Sequence, residues 1–450
     1  AVQVPKLPTG DLPGHWRNAS ALGEKPDLTG WWRRFGDARL NALVEVALAD
    51  NPDVAQAVWN LRAARALDDT GRAGARPSLA FRTGEQSNAA NTASYFQAGF
   101  DATWELGLFG RSGANSQIAG ADAGAAAAEL QSARVSLVAE VVREYLELRA
   151  AQCEEALLGA AARTAARKLA LVRGQERLQL ATRIDVEEAL TDSEEAEARL
   201  ADPRTAIARS AQALALLLGK SEPDPAWFVP VLQPQLEGGD VVSLPADLLR
   251  TRPEIRYAEA QVLKAAGELG IAEADLYPRL SIGGGLTFAT RVQGRGRTGA
   301  GTVNGIFGIG PFIDIPLFDW GQRRAQRDSR ADLLQAALAR YRKAVLTGAA
   351  QVEIGLASLH TADQRLEHAD AAVAASQRGL ALNEKLQARD EADQLNLVAA
   401  ELALGRVKLG QVQARLQHGL AFVGLYKALG GAPLPHLDAA ATAATGHQGS

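Results

Sequence analysis

The second half of this chain repeats the first at an offset of about 200 residues, and this duplication constrains the fold more than any other feature. Four segments recur in the same order: Asn51-Pro52-Asp53-Val54 as Arg252-Pro253-Glu254-Ile255, Arg76-Pro77-Ser78-Leu79 as Tyr277-Pro278-Arg279-Leu280, Leu108-Phe109-Gly110-Arg111 as Leu317-Phe318-Asp319-Trp320, and Leu218-Gly219 as Leu429-Gly430. An active site would need different residues in each half. A symmetric wall or tube needs this kind of duplication.

Composition excludes several functional classes. With 47% hydrophobic residues the chain can bury a large core, and its net charge of −4 provides no basic surface for nucleic acid. Cys153 is the only cysteine, and the six histidines show no ligand spacing, so we predict neither a metal nor a cofactor. Neither repeat contains a nucleophile–base or paired-carboxylate constellation, which argues against an enzyme. The absence of Met predicts a processed chain, with any signal peptide or lipid-bearing Cys preceding Ala1.

Apolar residues recur at helical spacing through most of the chain. The longest predicted helices have roughly 65 residues, or about 100 Å at 1.5 Å per residue. The predicted helices are 37–74 with a break at 50–52, 112–179, 185–218 with a distortion at Pro203, 244–275 broken at Pro253, 322–388 and 393–429. No apolar run reaches the ~18 residues that a spanning helix requires.

Four short segments instead alternate with the period of a strand. We predict strands at 79–85, 95–104, 280–290 and 306–317. The residues predicted to face lipid alternate with small or polar ones: Phe96, Phe100, Trp104, Leu280, Ile282, Phe288, Phe307 and Ile309. Pro311 should interrupt the fourth strand, and with Pro316 we interpret it as the place where that strand bends away towards the next helix.

Four strands of this length can cross a bilayer but cannot close a barrel, which needs about eight. An open edge in lipid would leave backbone groups without partners, so several chains must combine their strands. Three chains would supply twelve, with cyclic symmetry. The alternative is a soluble pair of coiled coils capped by short hairpins.

Several motifs resemble the TolC-like outer membrane factor family, in particular the lipoprotein branch that serves resistance-nodulation-division efflux pumps. The resemblance extends from Trp31 to Gly430. It rests on Trp31-Trp32 with Phe35, on Trp104-Glu105-Leu106-Gly107-Leu108-Phe109-Gly110-Arg111, in which Gly107 replaces the family's usual Asp, on Leu244-Pro245, on Arg252-Pro253-Glu254-Ile255 and on Pro316-Leu317-Phe318-Asp319-Trp320-Gly321.

The resemblance implies an α+β membrane protein: a homotrimer with a shared twelve-stranded barrel in the outer membrane of a Gram-negative bacterium and a periplasmic α-barrel of long helices. It also implies a lipid anchor, a periplasmic adaptor protein, an inner-membrane resistance-nodulation-division pump, and a channel that passively conducts drugs or other small toxic compounds. The expected domains are an N-terminal arm (1–37), a first repeat (38–219), a linker (220–245), a second repeat (246–431) and a disordered tail (432–450).

The resemblance also assigns two helix-connecting turns. The residues expected at the periplasmic aperture are Asp390, Glu391, Asp393, Leu395, Arg183 and Asp185. Those expected to contact the adaptor are Gln179, Leu180, Ala181 and Thr182. Each assignment has a simpler alternative, since acidic residues favour helix N-termini and Thr182 can cap the following helix. Arg183 would form a latch with an acidic residue of a neighbouring helix pair.

Two other functions remain open at this stage. A duct of the same fold could serve protein secretion, and a soluble structural coiled coil belongs to a different class altogether. The motifs favour efflux over secretion by resemblance only. The cargo cannot be read from the chain, because the partners of a duct select what enters it.

Overall fold

The computed structural model describes residues 27–71, 76–87, 94–236, 252–292, 304–389 and 393–433. The helices in these ranges are α1 (Ala38–Asp50), α2 (Pro52–Gly71), α3 (Arg111–Arg177), α4 (Arg183–Ala198), α5 (Ala201–Leu217), α6 (Pro253–Ala274), α7 (Gln322–Gln387) and α8 (Gln394–Ala428). The strands are β1 (Ser78–Ser87), β2 (Ser94–Glu105), β3 (Arg279–Val292) and β4 (Asn304–Asp314). In the described part of the chain, no helix is both long and apolar enough to cross a membrane.

Prolines set several helix boundaries, as the sequence predicts. Pro52 and Pro253 each occupy the first position of a helix, where the missing N–H would have no partner in any case. The predicted distortion near Pro203 is a break between α4 and α5, at residues 199–200. Pro203 lies in the first turn of α5, because a proline is tolerated there but disrupts the turn before it.

The described residues fall into two compact units. The strand unit contains residues 58–71, 76–87, 94–129, 254–292 and 304–344, and the helical unit contains 27–57, 130–236, 252–253, 345–389 and 393–433. The predicted arm, linker and tail are only partly described, so their domain boundaries stay predictions.

The strand unit is built on one antiparallel sheet in the order β1-β2-β3-β4. Its helical part packs closely where α6 meets the start of α3. A Cβ on Gly267 would lie 2.7 Å from Ile118 Cγ1, so only glycine permits this approach. Lys264 Nζ donates to Asp122 Oδ1 at 2.8 Å between the same two helices.

Pro311 does not interrupt β4, contrary to the prediction. It pairs in register with Ile282, and β4 continues to Asp314. Within one chain β4 lies at the edge of the sheet, and a proline whose nitrogen faces away from β3 leaves the β3–β4 hydrogen bonds intact. The strand ends before Pro316, which does mark the departure towards α7.

An aromatic cluster anchors the start of the helical unit. Trp31 is 1% exposed, stacks on Tyr426 at 5.4 Å between centroids, and donates from Nε1 to Gly431 O at 3.1 Å. Phe422 lies edge-on to both Trp31 and Phe35. Trp31 therefore fastens the first described residues to the end of α8.

In each repeat, the end of the last helix packs against the start of an earlier helix, and we call this contact the closure of the repeat. α5 and α8 end in left-handed glycines, Gly219 (φ 70°) and Gly430 (φ 75°). Gly219 approaches the junction of α1 and α2, and Gly430 approaches Pro253 at the start of α6. Asn51 reinforces the first closure by accepting from two N–H groups of α2 and donating to Leu217 O at 3.0 Å.

The two strand-to-helix turns share a backbone conformation, but not at the positions that the sequence repeat suggests. Phe109 (φ 64°) and Gly110 (φ 90°) correspond to Trp320 (φ 54°) and Gly321 (φ 85°). The sequence repeat pairs Phe109 with Phe318, whereas the structural equivalent of Phe109 is Trp320, two residues further along the chain. The shared Leu-Phe pair misled the sequence comparison, because the left-handed aromatic–glycine step is what the turn requires.

Candidate functional site

The sheet register places the residues predicted to face lipid on one side. Phe100 lies opposite Phe81 and Leu286, and Trp104 lies opposite Ile282. Directly paired residues share a face. Thr83, Gly284 and Gly305 share this face with its apolar residues, which are Leu79, Phe81, Ala98, Phe100, Ala102, Trp104, Leu280, Ile282, Leu286, Phe288, Phe307, Ile309, Pro311 and Ile313. The backbone of Phe96 has the matching register, but its side chain lies outside what the structure describes.

The opposite face of the sheet is polar or small. It carries Ala80, Arg82, Gln97, Gly99, Asp101, Thr103, Ser281, Gly283, Gly285 and Thr287. Arg82 Nη2 lies 3.8 Å from Asp101 Oδ2 across the β1–β2 pair. Ile306 and Phe312 of β4 are exceptions, and the ring of Phe312 lies over Gly283, where a Cβ would meet Cε2 at 2.7 Å.

Both edge strands of the sheet have one unpaired side among the described residues, since β1 pairs only with β2 and β4 only with β3. The edge strand β4 also exposes large apolar side chains on both faces. Phe307 and Ile309 are each 71% exposed on the apolar face, and Ile306 is 67% exposed on the other. A long apolar edge of this kind is a template for another strand.

The turn between α3 and α4, which we call the tip (residues 178–182), presents leucines outward. Leu178 and Leu180 are 71% and 74% exposed, and Ile184 just beyond the tip is 70% exposed. Gln179 adopts φ 58°, so a glutamine takes the left-handed position that usually favours glycine. Leu178 and Ile184 were missed from the sequence, because an apolar residue beside a helix end normally indicates core.

Thr182 and Asp185 form a reciprocal capping box at the start of α4. Thr182 donates from both N and Oγ1 to Asp185 Oδ2 at 2.7 Å, and these bonds hold the pKa of Asp185 below its ordinary value. Arg183 reaches Glu187 on its own helix at 4.0 Å. The structure thus gives all three residues local partners, and the latch of Arg183 with a neighbouring helix pair stays a prediction.

The second turn is only partly described, and Asp390 and Glu391 lie outside the described residues. Asp393 occupies the N-cap of α8, is exposed, and makes no side-chain cap hydrogen bond. Leu395 is half-buried and packs against a small core formed by Leu169, Val172, Val186 and Ala189. Its role as a constriction therefore competes with a packing role within one chain.

Polar pairs join helices near the tip. Lys168 Nζ lies 2.7 Å from Asp192 Oδ2 between α3 and α4, and Arg167 pairs with Glu401 between α3 and α8. Separations of 24 and 234 residues give no sequence signal for such pairs. Within the described ranges, no group of three His, Cys, Asp or Glu side chains is placed to hold a metal ion.

Comparison with known proteins gives consistent matches along almost the whole chain. The family model described as outer membrane efflux protein matches twice, over residues 43–220 and 244–431. The pyoverdine export outer membrane protein OpmQ of Pseudomonas aeruginosa is 28% identical, over 93% of this chain and 91% of OpmQ. The toluene efflux pump outer membrane protein TtgF of Pseudomonas putida is 27% identical, over 89% of this chain and 85% of TtgF.

The fold matches as well. The solved structure of the outer-membrane channel OprN superimposes with a TM-score of 0.77 and 28% identity, over 93% of this chain and 99% of OprN. Long helices, a four-stranded sheet and an internal duplication thus define an outer membrane channel. The chain belongs to the outer membrane efflux protein family, whose members are non-enzymatic channels of the Gram-negative outer membrane that extend into the periplasm. The fold and efflux function predicted from the sequence are confirmed.

Proposed function

We propose that this channel is a homotrimeric exit duct, in which three sheets of four strands close one barrel in the outer membrane. The observation that carries the proposal is a sheet with one continuous apolar face and two unpaired edges among the described strands. Joining β1 of one copy to β4 of the next satisfies both edges, and threefold symmetry then closes a barrel without an exposed edge.

The duct takes its cargo from partners. A periplasmic adaptor and an inner-membrane resistance-nodulation-division pump deliver small toxic compounds. These compounds then diffuse through the lumen of the barrel, which the polar face of the sheet lines. Relatives named for pyoverdine export and toluene efflux support small molecules as cargo, in preference to polypeptides. The polar inner face of the sheet suits a passive, water-filled path.

Adjacent residues of β4 provide a matched test of the barrel. Phe307 and Ile306 are similarly exposed but lie on opposite faces. An arginine facing lipid near the midplane costs about 2–4 kcal/mol, whereas one facing the lumen is hydrated. We expect Phe307→Arg to lower the yield of heat-modifiable trimer in outer membrane fractions, and Ile306→Arg to assemble normally and shift ion selectivity in planar bilayers.

Two results would contradict the proposal. Equal assembly of the Phe307 and Ile306 variants would show that neither face contacts lipid. A purified chain that stays monomeric and water-soluble without detergent would reject the shared barrel itself.

We further propose that the tip binds the adaptor through its exposed leucines. Leu180→Glu should abolish cross-linking to the adaptor while the amount of trimer is unchanged, because a carboxylate cannot enter an apolar contact without losing its hydration. Leu216→Glu is the matched control, since this leucine is 70% exposed on α5 and lies outside the tip. Equal cross-linking by the two variants would place the adaptor elsewhere.

A further inference from the structure

A cavity of about 460 Å³ opens in the helical unit, beside α1, α3 and the segment that follows α5. Its inner wall consists of buried apolar side chains, among them Leu43, Leu218 and Trp227. Its rim carries the exposed side chains of Arg39 and Lys220. The volume lies within the range of about 300–1,000 Å³ that is typical of small-molecule pockets, which are mostly apolar with a few placed polar groups.

The inner wall also contains a buried cation. Arg149 is 1% exposed, and among the described residues its Nη1 donates to three neutral acceptors: Gln152 Oε1 at 2.8 Å, Trp227 O at 3.3 Å and Val229 O at 3.2 Å. Its Nε is buried without a hydrogen-bond partner among the described residues. Tyr145 lies 4.8 Å below the guanidinium and gives its own hydroxyl to Asp37.

This arrangement is electrostatically unbalanced. Within the described part of the chain Arg149 contacts neutral acceptors and forms no ion pair, although a buried charge is costly unless it is paired. The described residues of the cavity lining include three cationic side chains and one carboxylate, Asp224. Asp224 Oδ1 is already engaged, since it accepts from Ala226 N at 2.9 Å.

We propose that this cavity binds a small amphiphilic anion, specifically a medium-chain alkyl carboxylate. The carboxylate lies towards Arg149, Arg39 and Lys220 and supplies the counter-charge that the protein lacks there. The alkyl chain lies along Leu43, Leu218 and Trp227, where it removes apolar surface from water. A neutral alcohol would make the apolar contacts but would supply no counter-charge, and an alkyl cation would be repelled by the cationic side chains.

The test uses the purified full-length channel in a non-ionic detergent, with radiolabelled octanoate in equilibrium dialysis against detergent alone. We expect saturable binding of one octanoate per chain, and much weaker binding of octanol. Arg39→Gln and Lys220→Gln should each raise the Kd at least fivefold, and the double variant more. Arg406→Gln, an exposed arginine of α8 outside the lining, should leave the Kd unchanged.

A variant that fills the cavity separates a ligand site from an interface between copies. Val46 lies at the rim and is 37% exposed, so Val46→Trp should block octanoate while light scattering shows the same oligomer. The proposal is overturned if octanoate binding does not saturate, if octanol binds as tightly, or if the double variant binds like the wild type. It is also overturned if Val46→Trp breaks the oligomer and octanoate never binds, because a second copy then covers the cavity.

Discussion

The paired glycines that close the two repeats give a quantitative test of the duplication. Gly219 and Gly430 have nearly the same left-handed φ, yet their surroundings differ. A Cβ on Gly219 would lie 2.8 Å from the backbone oxygen of Asp50, while one on Gly430 would first meet Pro253 Cδ at 3.2 Å. Alanine at either position is strained, but only at Gly219 must a backbone segment move.

The two costs can be estimated separately. An L-residue in the left-handed region loses about 1–2 kcal/mol, and the stiffer unfolded chain of an alanine returns about 0.4–1 kcal/mol. Gly430→Ala should therefore lower the free energy of unfolding by about 1 kcal/mol. Gly219→Ala adds an overpacking cost of about 1–3 kcal/mol, because its neighbour is backbone and cannot rotate away.

Thermal unfolding followed by circular dichroism, at one scan rate and in one detergent, measures the difference. We expect the Tm of Gly219→Ala to be lower than that of Gly430→Ala. The difference should be at most about 2–4 °C for each additional 1 kcal/mol of destabilisation, because the Tm of a larger chain shifts less per kcal/mol. Gly424→Ala is the control: it lies inside α8 with nothing within 4 Å of its Cβ position. It should raise Tm slightly, because alanine has the better helix propensity.

Equal losses at Gly219 and Gly430 would refute the argument that the close approach to Asp50 carries an energetic cost. Wild-type Tm in both variants would refute the left-handed geometry itself. A loss in Gly424→Ala as large as the other two would show that glycine replacement is harmful for some reason unrelated to conformation.

Three further predictions concern the first closure and the helix turns. Asn51→Ala should lower the free energy of unfolding by about 2–4 kcal/mol, because it removes a helix cap and leaves Leu217 O unpaired, whereas Asn51→Ser should retain the cap and lose less. The lowered pKa of Asp185 means that its carboxylate stabilises the start of α4 at neutral pH and stops doing so as the pH falls below the ordinary value of 3.8. Hydrogen exchange of α4 should show that loss in the wild type, and Asp185→Asn should remove the pH dependence. If the aperture carries a ring of carboxylates, neutralising Asp393 with its two acidic neighbours should reduce cation selectivity in planar bilayers, and an unchanged reversal potential would reject the ring.

The sequence predicted those features that depend on local periodicity or backbone chemistry. Alternation along β2 was enough to assign one apolar face, and Pro52 and Pro253 were enough to start two helices. Pro311 was misread because a strand's own residues do not reveal whether it lies at an edge. The exposure of Leu178 was missed because a leucine in a helical repeat looks the same whether it faces a core or a partner.

The contacts of Arg149 show a second limit of sequence reasoning. Its acceptors on Trp227 and Val229 are backbone carbonyls 78 and 80 residues away, so no side-chain pattern announces them. Arg149 lies among regularly spaced helical residues and would be assigned to a solvated face. Burial leaves this cation without a carboxylate partner among the described residues, and only the packed structure shows that the segment after α5 encloses it.

The two repeats share backbone geometry but not side-chain chemistry, and this difference explains how one unit serves twice. Both have a proline at the first position of a helix and a left-handed glycine at the closing helix end. At the residue before each proline, however, Asn51 caps its own helix, while Arg252 donates to Gly348 O at 3.0 Å and to Gln351 on α7. Backbone geometry must be retained because each repeat closes through it, whereas the side chains can differ because each repeat meets different neighbours. Exchanging these two residues should therefore destabilise both closures.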